Sequence, residues 1–401
     1  MTQSSRRDAN LVALGILMVA YGTNVSTPFL ATYRDRLDLG ASATQSIFVV
    51  YVVGILAMLF VAGQTSDRFG RRAVLVPALV LTAAGSALLI VGRDSFGFIM
   101  AGRILLGMAS GAALGVGAAW IQELLGPGKE LRAAFITTIV TYAGFGLGPP
   151  ISTAWDRWVP NALVWPFIIH IVASLAVIPL VLSCRETVDI EGARAALRSV
   201  GERWRPRLQF GVPDDARREF WWVLAPLSVL VFAFPSTGFS LFPLLVAESY
   251  DGSDVLLTGI AGIATPWAGL VARPYLARVS ARSGIVHGAV VGTCGYLLGT
   301  LAWAAGWWPL VWPAAAALGA ASGIISTSAL TQVAGMTDAE HRGALSSTFY
   351  LLAYSGMAMP LVITGLAAGI GMGLTLTIVC SLAAAVTLTT PLRRHVASQP
   401  A

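Results

Sequence analysis

Long apolar runs recur along this chain and constrain its fold more than any other feature. They are about 20 residues long, and charged residues are nearly absent from them. A helix of about 20 residues rises by about 30 Å, which is the thickness of a bilayer's hydrocarbon core. Because lipid offers the backbone no hydrogen-bonding partner, runs of this kind must be helical. The sequence therefore predicts an all-α membrane protein.

Twelve transmembrane helices are predicted, in two pseudo-symmetric six-helix bundles. The predicted spans lie near residues 11–31, 45–62, 73–92, 97–122, 133–154, 161–183, 220–246, 255–276, 285–305, 308–333, 344–366 and 369–390. The longest polar stretch, residues 184–219, separates the sixth span from the seventh. We interpret residues 1–183 as the N-terminal bundle, 184–219 as a cytoplasmic linker and 220–401 as the C-terminal bundle.

The basic residues show how the chain is oriented. With these spans, twenty-one Lys and Arg residues fall in the termini, the linker and alternate loops, and four fall in the opposite loops. By the positive-inside rule both termini are cytoplasmic. Positive charge spread over loops in this way does not form a nucleic-acid-binding face, despite the net charge of +6. We expect a monomeric multi-pass protein of a plasma membrane. Its basic residues are almost all arginines, which suggests a bacterial source.

Short motifs recur at a nearly constant offset between the two halves. GMASG at Gly107–Gly111 returns as GAASG at Gly319–Gly323. Two proline pairs hold a similar spacing: Pro28 with Pro243, and Pro149 with Pro360. Together these matches predict a tandem repeat of six spans. Parallel repeats of this kind place a binding site between the halves, near the middle of the membrane.

A charged turn, GQTSDRFGRR, joins the second and third spans. Its pattern, G-x-x-x-D-R-x-G-R-R, resembles the signature loop of the major facilitator superfamily, and the length, span count, linker and repeat resemble that family as well. The resemblance implies a secondary transporter in which this turn latches the halves together in the outward-facing state. Gly63 and Gly70 are expected to allow a tight turn and close helix approach. The alternative is that the arginines only set the orientation. The latch residues are Gly63, Asp67, Arg68, Gly70, Arg71 and Arg72, with Glu123 expected to pair with the arginines.

Two further stretches are similar to motifs of that family. Arg103 and Gly107 in span four match an R-x-x-x-G pattern, and an arginine inside a span usually faces a cavity or a partner. The alternative is that Arg103 only anchors the span at the outer interface. Gly144, Gly148 and Pro149 in span five partly match the G-x-x-x-G-P motif of drug/proton antiporters. This second likeness favours an exporter.

Spans one, four, seven and ten, flanked by two, five, eight and eleven, are expected to line the cavity. Their candidate substrate-binding residues are Tyr21, Asn24, Arg103, Tyr142, Phe234, Trp267, Gln332, Tyr350 and Tyr354. Such a lining suits an aromatic or amphipathic small molecule, neutral or anionic. No Asp or Glu lies near the middle of a span, and His170 is expected to be a packing residue. Coupling to protons therefore stays open, and no cofactor or metal is predicted.

Three functions remain open at this point. The favoured one is export of small lipophilic compounds by alternating access. The second is import of a nutrient or metabolite by the same fold, and the third is a membrane scaffold or receptor that does not transport. An enzyme is not predicted, because the sequence shows no nucleophile–base pair, metal cluster or phosphate-binding loop.

Overall fold

The structure, a computed structural model, describes residues 3–191, 211–214, 216–272, 275, 278–336 and 342–397. Twelve helical stretches in these ranges are long and apolar enough to cross a membrane, which confirms the predicted number. Several helices extend past the predicted spans, because polar residues continue a helix after it leaves the apolar layer. Most of the predicted linker, residues 192–210, lies outside the described residues.

The first six spans are built from eight helices, because the first two spans are interrupted. Their bounds are α1 Gln3–Asn24, α2 Leu30–Arg36, α3 Ala41–Val49, α4 Tyr51–Phe69, α5 Arg72–Val91, α6 Phe96–Leu125, α7 Glu130–Trp158 and α8 Trp165–Ser183. A 3-10 turn, Thr27–Phe29, separates α1 from α2. A single residue, Val50, separates α3 from α4.

The last six spans also contain irregular turns. Their helices are α9 Ala225–Ser236, α10 Phe242–Val246, α11 Asp254–Val271, α12 Ala281–Ala305, α13 Val311–Met336, α14 Arg342–Ser355, α15 Met359–Ile370 and α16 Met372–Ala397. Two π-helical turns, Phe220–Leu224 and Thr237–Leu241, flank α9. Each adds a residue to a helical turn and so rotates the side chains that follow.

The chain divides into two compact units, whose bounds differ from the predicted bundles by one stretch. Unit 1 comprises Met1–Ser26 and Val50–Leu208, and unit 2 comprises Thr27–Val49 and Gln209–Ala401. In the first two spans the chain passes from one unit to the other twice, after Ser26 and after Val49. Each of these points lies at the break in its span.

Within unit 2, residues 27–49 are held by specific contacts. The side-chain amide of Gln45 donates to the carbonyl oxygen of Ser240 at 3.0 Å, and the Ser240 hydroxyl donates to Gln45 Oε1 at 3.3 Å. The rings of Phe48 and Phe239 meet edge to face, with centroids 5.3 Å apart. Gln45 and Ser240 are both buried, so this polar pair is shielded from water.

Glycines set the closest helix crossings, and the same crossings occur in each unit. A methyl group added at Gly107 of α6 would overlap the carbonyl oxygen of Tyr51 on α4. One added at Gly319 of α13 would overlap the carbonyl oxygen of Thr265 on α11. The recurring GMASG and GAASG motifs thus pack equivalent helix pairs.

A second crossing repeats in the same way. Gly144 of α7 meets the carbonyl oxygen of Leu17 and the amide nitrogen of Tyr21, both on α1. Gly356, just after α14, meets the carbonyl oxygen of Val229 and the amide nitrogen of Ala233, on α9. The offset between the two halves is the same for the glycine, the residue that supplies the carbonyl and the residue that supplies the amide, at 356 − 144 = 212 residues. The tandem repeat therefore extends to atomic contacts.

Candidate functional site

The charged turn at one end of unit 1 is tightly formed. α4 runs through Gly63 and ends at Phe69, so Gly63 does not end the helix. Gly70 follows with φ of +99°, a conformation that favours glycine. A Cβ at Gly70 would also lie 2.7 Å from Glu186 Oε2. At Gly63 a Cβ would meet nothing within 4 Å among the described residues, so the expectation of close helix approach is wrong there. At Gly70 the positive φ fits the expected tight turn, but the close neighbours are side chains of the segment after α8 rather than a helix backbone.

Arg71 connects the turn to two helices. Its Nη1 donates to Asp67 Oδ1 at 2.5 Å and to Ser66 Oγ at 2.6 Å. Its Nη2 and Nε donate to Glu123 Oε1 at 2.6 Å and Oε2 at 3.2 Å, a bidentate pair. Burial alone would lower the pKa of Arg71, but the bonds to Glu123 and Asp67 outweigh burial and raise it. The arginine therefore stays charged and joins α4 to α6.

The other residues of the turn are less enclosed. The Asp67 side chain is 66% exposed apart from its bond to Arg71. The guanidinium of Arg68 lies 5.5 Å from the ring centre of Phe69. Arg72 opens α5, with its backbone nitrogen bound to Glu186. The turn therefore combines a buried cation with an accessible carboxylate.

Glu186, just after α8, completes the cluster, and sequence reasoning missed it. Its carboxylate accepts the backbone N–H groups of Arg71 at 3.0 Å and Arg72 at 3.1 Å. It also accepts those of Thr187 at 3.0 Å and Val188 at 3.3 Å. A carboxylate at the first turn of α5 also complements the positive end of that helix. The only signal in the sequence is an acidic residue directly after the sixth span.

The chain after α8 is held from two more directions. The Asp8 carboxylate accepts the Arg185 N–H at 3.1 Å, and the Trp120 indole donates to the Arg185 carbonyl at 3.0 Å. Burial, and next the nearby Asp8 carboxylate, raise the pKa of the Cys184 thiol to about 11. A cavity of about 690 Å³, whose lining includes Glu123 and Glu186, lies beside this segment.

Arg103 of α6 lies at the break in the first span. Its Nη1 donates to the carbonyl oxygen of Thr23 at 2.7 Å and to the Ser26 hydroxyl at 3.2 Å. Its guanidinium carbon lies 5.0 Å from the ring centre of Tyr51. The side chain is 1% exposed, so it binds a partner inside unit 1 rather than reaching an outer interface. A cation at the carboxyl end of α1 also complements the dipole of that helix.

Other groups support the same break. The Asn24 side-chain amide donates to the carbonyl of Phe145 at 3.2 Å, and Ser152 donates to the carbonyl of Val25 at 2.7 Å. These bonds join α7 to the last residue of α1 and the residue after it, where Gly144 and Gly148 bring the two backbones together. Pro149 lies inside α7 next to these glycines. The partial antiporter-like motif therefore forms a packing surface for α1.

The remaining predicted residues of unit 1 lie in two places. Tyr21 is buried and meets the ring of His170 edge to face at 5.2 Å. His170 is itself fully buried, bonded to Ser86 and to the Met18 carbonyl, as expected for a packing residue. Tyr142 instead lines a cavity of about 340 Å³ between α6 and α7, whose wall also includes Gln122 and hydroxyl groups of α7.

The predicted residues of unit 2 are also divided. Phe234 is fully buried, with its ring 5.1 Å from that of Tyr296, a placement that favours packing. Trp267 is 42% exposed, and the Gln332 amide donates to the carbonyl of Ala281 at 3.1 Å.

Tyr350 and Tyr354 lie together on α14, with ring centroids 6.3 Å apart. The ring that completes this group is Phe232, which stacks on Tyr354 at 4.8 Å. The sequence interpretation chose Phe234 on the same helix and missed Phe232.

The chain matches one family model and is similar to several known proteins. The family model for the Major Facilitator Superfamily matches residues 12–361. The bacillibactin exporter of Bacillus subtilis (strain 168) is 27% identical over 157 residues, covering 37% of this chain and 39% of that protein.

Other curated relatives match to a similar extent. The triacylglyceride transporter of Mycolicibacterium smegmatis is 26% identical over 197 residues, covering 46% of this chain and 35% of that protein. The multidrug resistance protein MdtL of Escherichia coli (strain SMS-3-5 / SECEC) is 24% identical over 175 residues, covering 43% of this chain and 44% of that protein. The matched part of the chain thus spans less than half the length of these relatives.

Solved structures match over almost the whole chain. A POT family transporter in complex with 5-aminolevulinic acid gives a TM-score of 0.77 at 13% identity, covering 98% of this chain and 96% of that one. A D-xylose-proton symporter gives 0.70 at 16% identity, covering 97% of each chain. At such identities the likeness shows the fold alone.

Proposed function

Because the chain belongs to the major facilitator superfamily, we propose that it is a secondary active transporter that exports small lipophilic or amphipathic organic compounds by alternating access. The observation that carries the direction is the likeness to proteins named as an exporter and as a multidrug resistance protein. The partial antiporter-like motif, packed against α1, supports it. Transport takes place across a cell membrane, with both termini in the cytoplasm.

The charge of the proposed substrate follows from where the cations lie. Arg103 is buried, and its guanidinium donates to the Thr23 carbonyl and the Ser26 hydroxyl, so it is turned to partners inside unit 1 rather than to a substrate. The candidate residues that remain partly exposed are aromatic rings and two amides: Asn24, Tyr142, Trp267, Gln332, Tyr350 and Tyr354. Rings and neutral polar groups suit an uncharged aromatic compound. The proposed substrate is therefore neutral rather than anionic.

Flux through proteoliposomes tests this function. The purified full chain is expected to move neutral lipophilic compounds down an imposed gradient, and a proton gradient is expected to accelerate export. The measurement is efflux of a compound panel with and without a pH difference, against protein-free vesicles. Uptake of one polar metabolite alone would favour an importer, and no flux for any compound would contradict transport.

Within this function, Asp67 is proposed to stabilise the outward-facing state. Its accessible carboxylate can hold the positive end of another helix, an interaction worth about 1 kcal/mol. Asp67→Asn is therefore expected to lower the outward-facing population about fivefold and to slow transport without loss of fold.

Labelling of a candidate cavity position measures that population. Tyr354 of α14 is partly exposed, so a thiol introduced by Tyr354→Cys, with Cys294→Ser, should react with an impermeant maleimide added from outside when the outer side opens. Asp67→Asn should slow this labelling. Asp94→Asn, which alters an acid that is 62% exposed beside Arg93, should not. Equal labelling rates in both variants would count against the latch.

A further inference from the structure

Three aromatic rings from α9 and α14 form a continuous face of unit 2. The rings of Phe232 and Tyr354 are stacked, with centroids 4.8 Å apart and planes 16° from parallel. Tyr350, one turn earlier on α14, lies 6.3 Å from Tyr354 and is tilted by 31°. All three side chains are only partly buried. These three rings, called the aromatic shelf below, therefore keep accessible surface.

The backbone beneath the shelf is held in place. Gly356, two residues after Tyr354, meets the carbonyl oxygen of Val229, and a methyl group at Gly356 would overlap that oxygen. α9 and α14 are therefore in backbone contact one turn from the stacked rings. A ring pair fixed by such a contact is preorganised and loses little freedom when a ligand binds.

The shelf lies on the side of α14 that faces away from the core of unit 2. Leu345, Phe349 and Ala353, on the neighbouring side of the helix, are fully buried, and the ring of Phe349 meets that of Tyr350 edge to face at 5.5 Å. The shelf side carries two phenol groups and the hydroxyl of Ser347. Polar groups inside a membrane-spanning helix favour a position that faces a cavity over one that faces lipid. The stretches Ala225–Ser236 and Leu345–Ser355 contain no acidic or basic residue.

The tandem repeat shows that the fold does not need the shelf. The crossing of Gly356 on α9 has its counterpart in that of Gly144 on α1. At the same offset, Tyr354 corresponds to Tyr142, but Phe232 corresponds to Ala20. Unit 1 therefore makes the same helix crossing with a methyl group where unit 2 has a ring. The ring of Phe232 serves something other than the crossing.

We propose that the aromatic shelf binds a planar, uncharged, conjugated ring system of the transported compound. The ring stacks on Phe232 and Tyr354, and the tyrosine hydroxyls bind polar atoms at its edge. This assignment rests on the proposed function and names its substrate class. Aromatic pairs at such spacings contribute enough beyond buried area for each ring to change affinity about three- to tenfold.

Direct binding tests the shelf independently of transport. The purified full chain in nanodiscs is titrated with 1-pyrenemethanol, a planar neutral probe, and with 1-adamantanemethanol, an apolar probe that is not planar. Phe232→Ala and Phe232→Leu are each expected to weaken pyrenemethanol binding about three- to tenfold and to leave adamantanemethanol binding unchanged. Tyr354→Phe, which keeps the ring, should retain most of the affinity.

A matched control and a stability measurement complete the test. Phe98→Ala removes a ring that is 50% exposed in the first turn of α6, at the far end of that helix from its cavity-lining residues, and should bind both probes like the unaltered chain. Phe232→Ala should melt within about 2 °C of it, as the Ala20 counterpart implies. Unchanged pyrenemethanol affinity in both Phe232 variants would overturn the proposal, even if flux is observed. Absent flux with the expected binding pattern would overturn the transporter and leave the shelf.

Discussion

Gly107→Val is expected to destabilise the N-terminal half strongly. A Cβ at Gly107 would overlap the carbonyl oxygen of Tyr51, which is backbone and cannot move aside. The valine would separate α6 from α4 and cost about 3 kcal/mol or more, the upper range for overpacking. Against a total stability of about 5–15 kcal/mol, this loss removes a large share of the margin, so the monodisperse peak in fluorescence-detected size-exclusion chromatography should be several-fold smaller and the melting temperature lower than in the unaltered chain.

Gly115 provides the matched control on the same helix. It is exposed, and a Cβ there would meet nothing within 4 Å among the described residues. Gly115→Val should therefore accumulate like the unaltered chain. Gly319→Val, the repeat counterpart, should reduce accumulation as Gly107→Val does, because a Cβ at Gly319 would overlap the carbonyl oxygen of Thr265. Equal accumulation of the Gly107 and Gly115 variants would refute the close-crossing interpretation.

The sequence predicted these glycines well because their signal is local. Small residues at helix-packing spacing inside an apolar run imply close backbone approach, and the repeated motif marked the same crossing twice. The twelve spans were predictable for a similar reason, since length and hydropathy are properties of single segments.

The features that escaped prediction depend on contacts distant in sequence. Glu186 binds backbone groups of Arg71 and Arg72, more than a hundred residues earlier, and no local pattern reveals such a partner. Phe232 was missed in favour of Phe234 because two positions along a helix point about 200° apart. The side of α9 that each ring faces depends on how the flanking π-helical turns set the rotation of the helix. The break at Val50 could not be predicted either, because no proline or glycine occupies that position.

Arg103→Met is expected to reduce transport about a hundredfold or more. The methionine keeps an unbranched, flexible side chain but removes two charge-assisted hydrogen bonds, each worth about 1.5–3 kcal/mol. The carbonyl of Thr23 and the hydroxyl of Ser26 would lose this donor at the break in the first span. The cation–π contact with Tyr51 would also be lost. Because the chain passes from unit 1 to unit 2 at Ser26, a loosened break should change the geometry with which the first span continues.

Graded substitution separates this role from a general loss of charge. Arg103→Lys keeps a cation but has one compact ammonium group in place of the planar fork, so flux and melting temperature should fall between those of the methionine variant and the unaltered chain. Arg93→Met removes an arginine whose side chain is 39% exposed at the end of α5 and should change neither quantity. Proteoliposome flux and thermal unfolding of all three variants provide the comparison. Normal flux in Arg103→Met would show that the break is held without the guanidinium, and the hydrogen bonds to Thr23 and Ser26 would then have no part in transport.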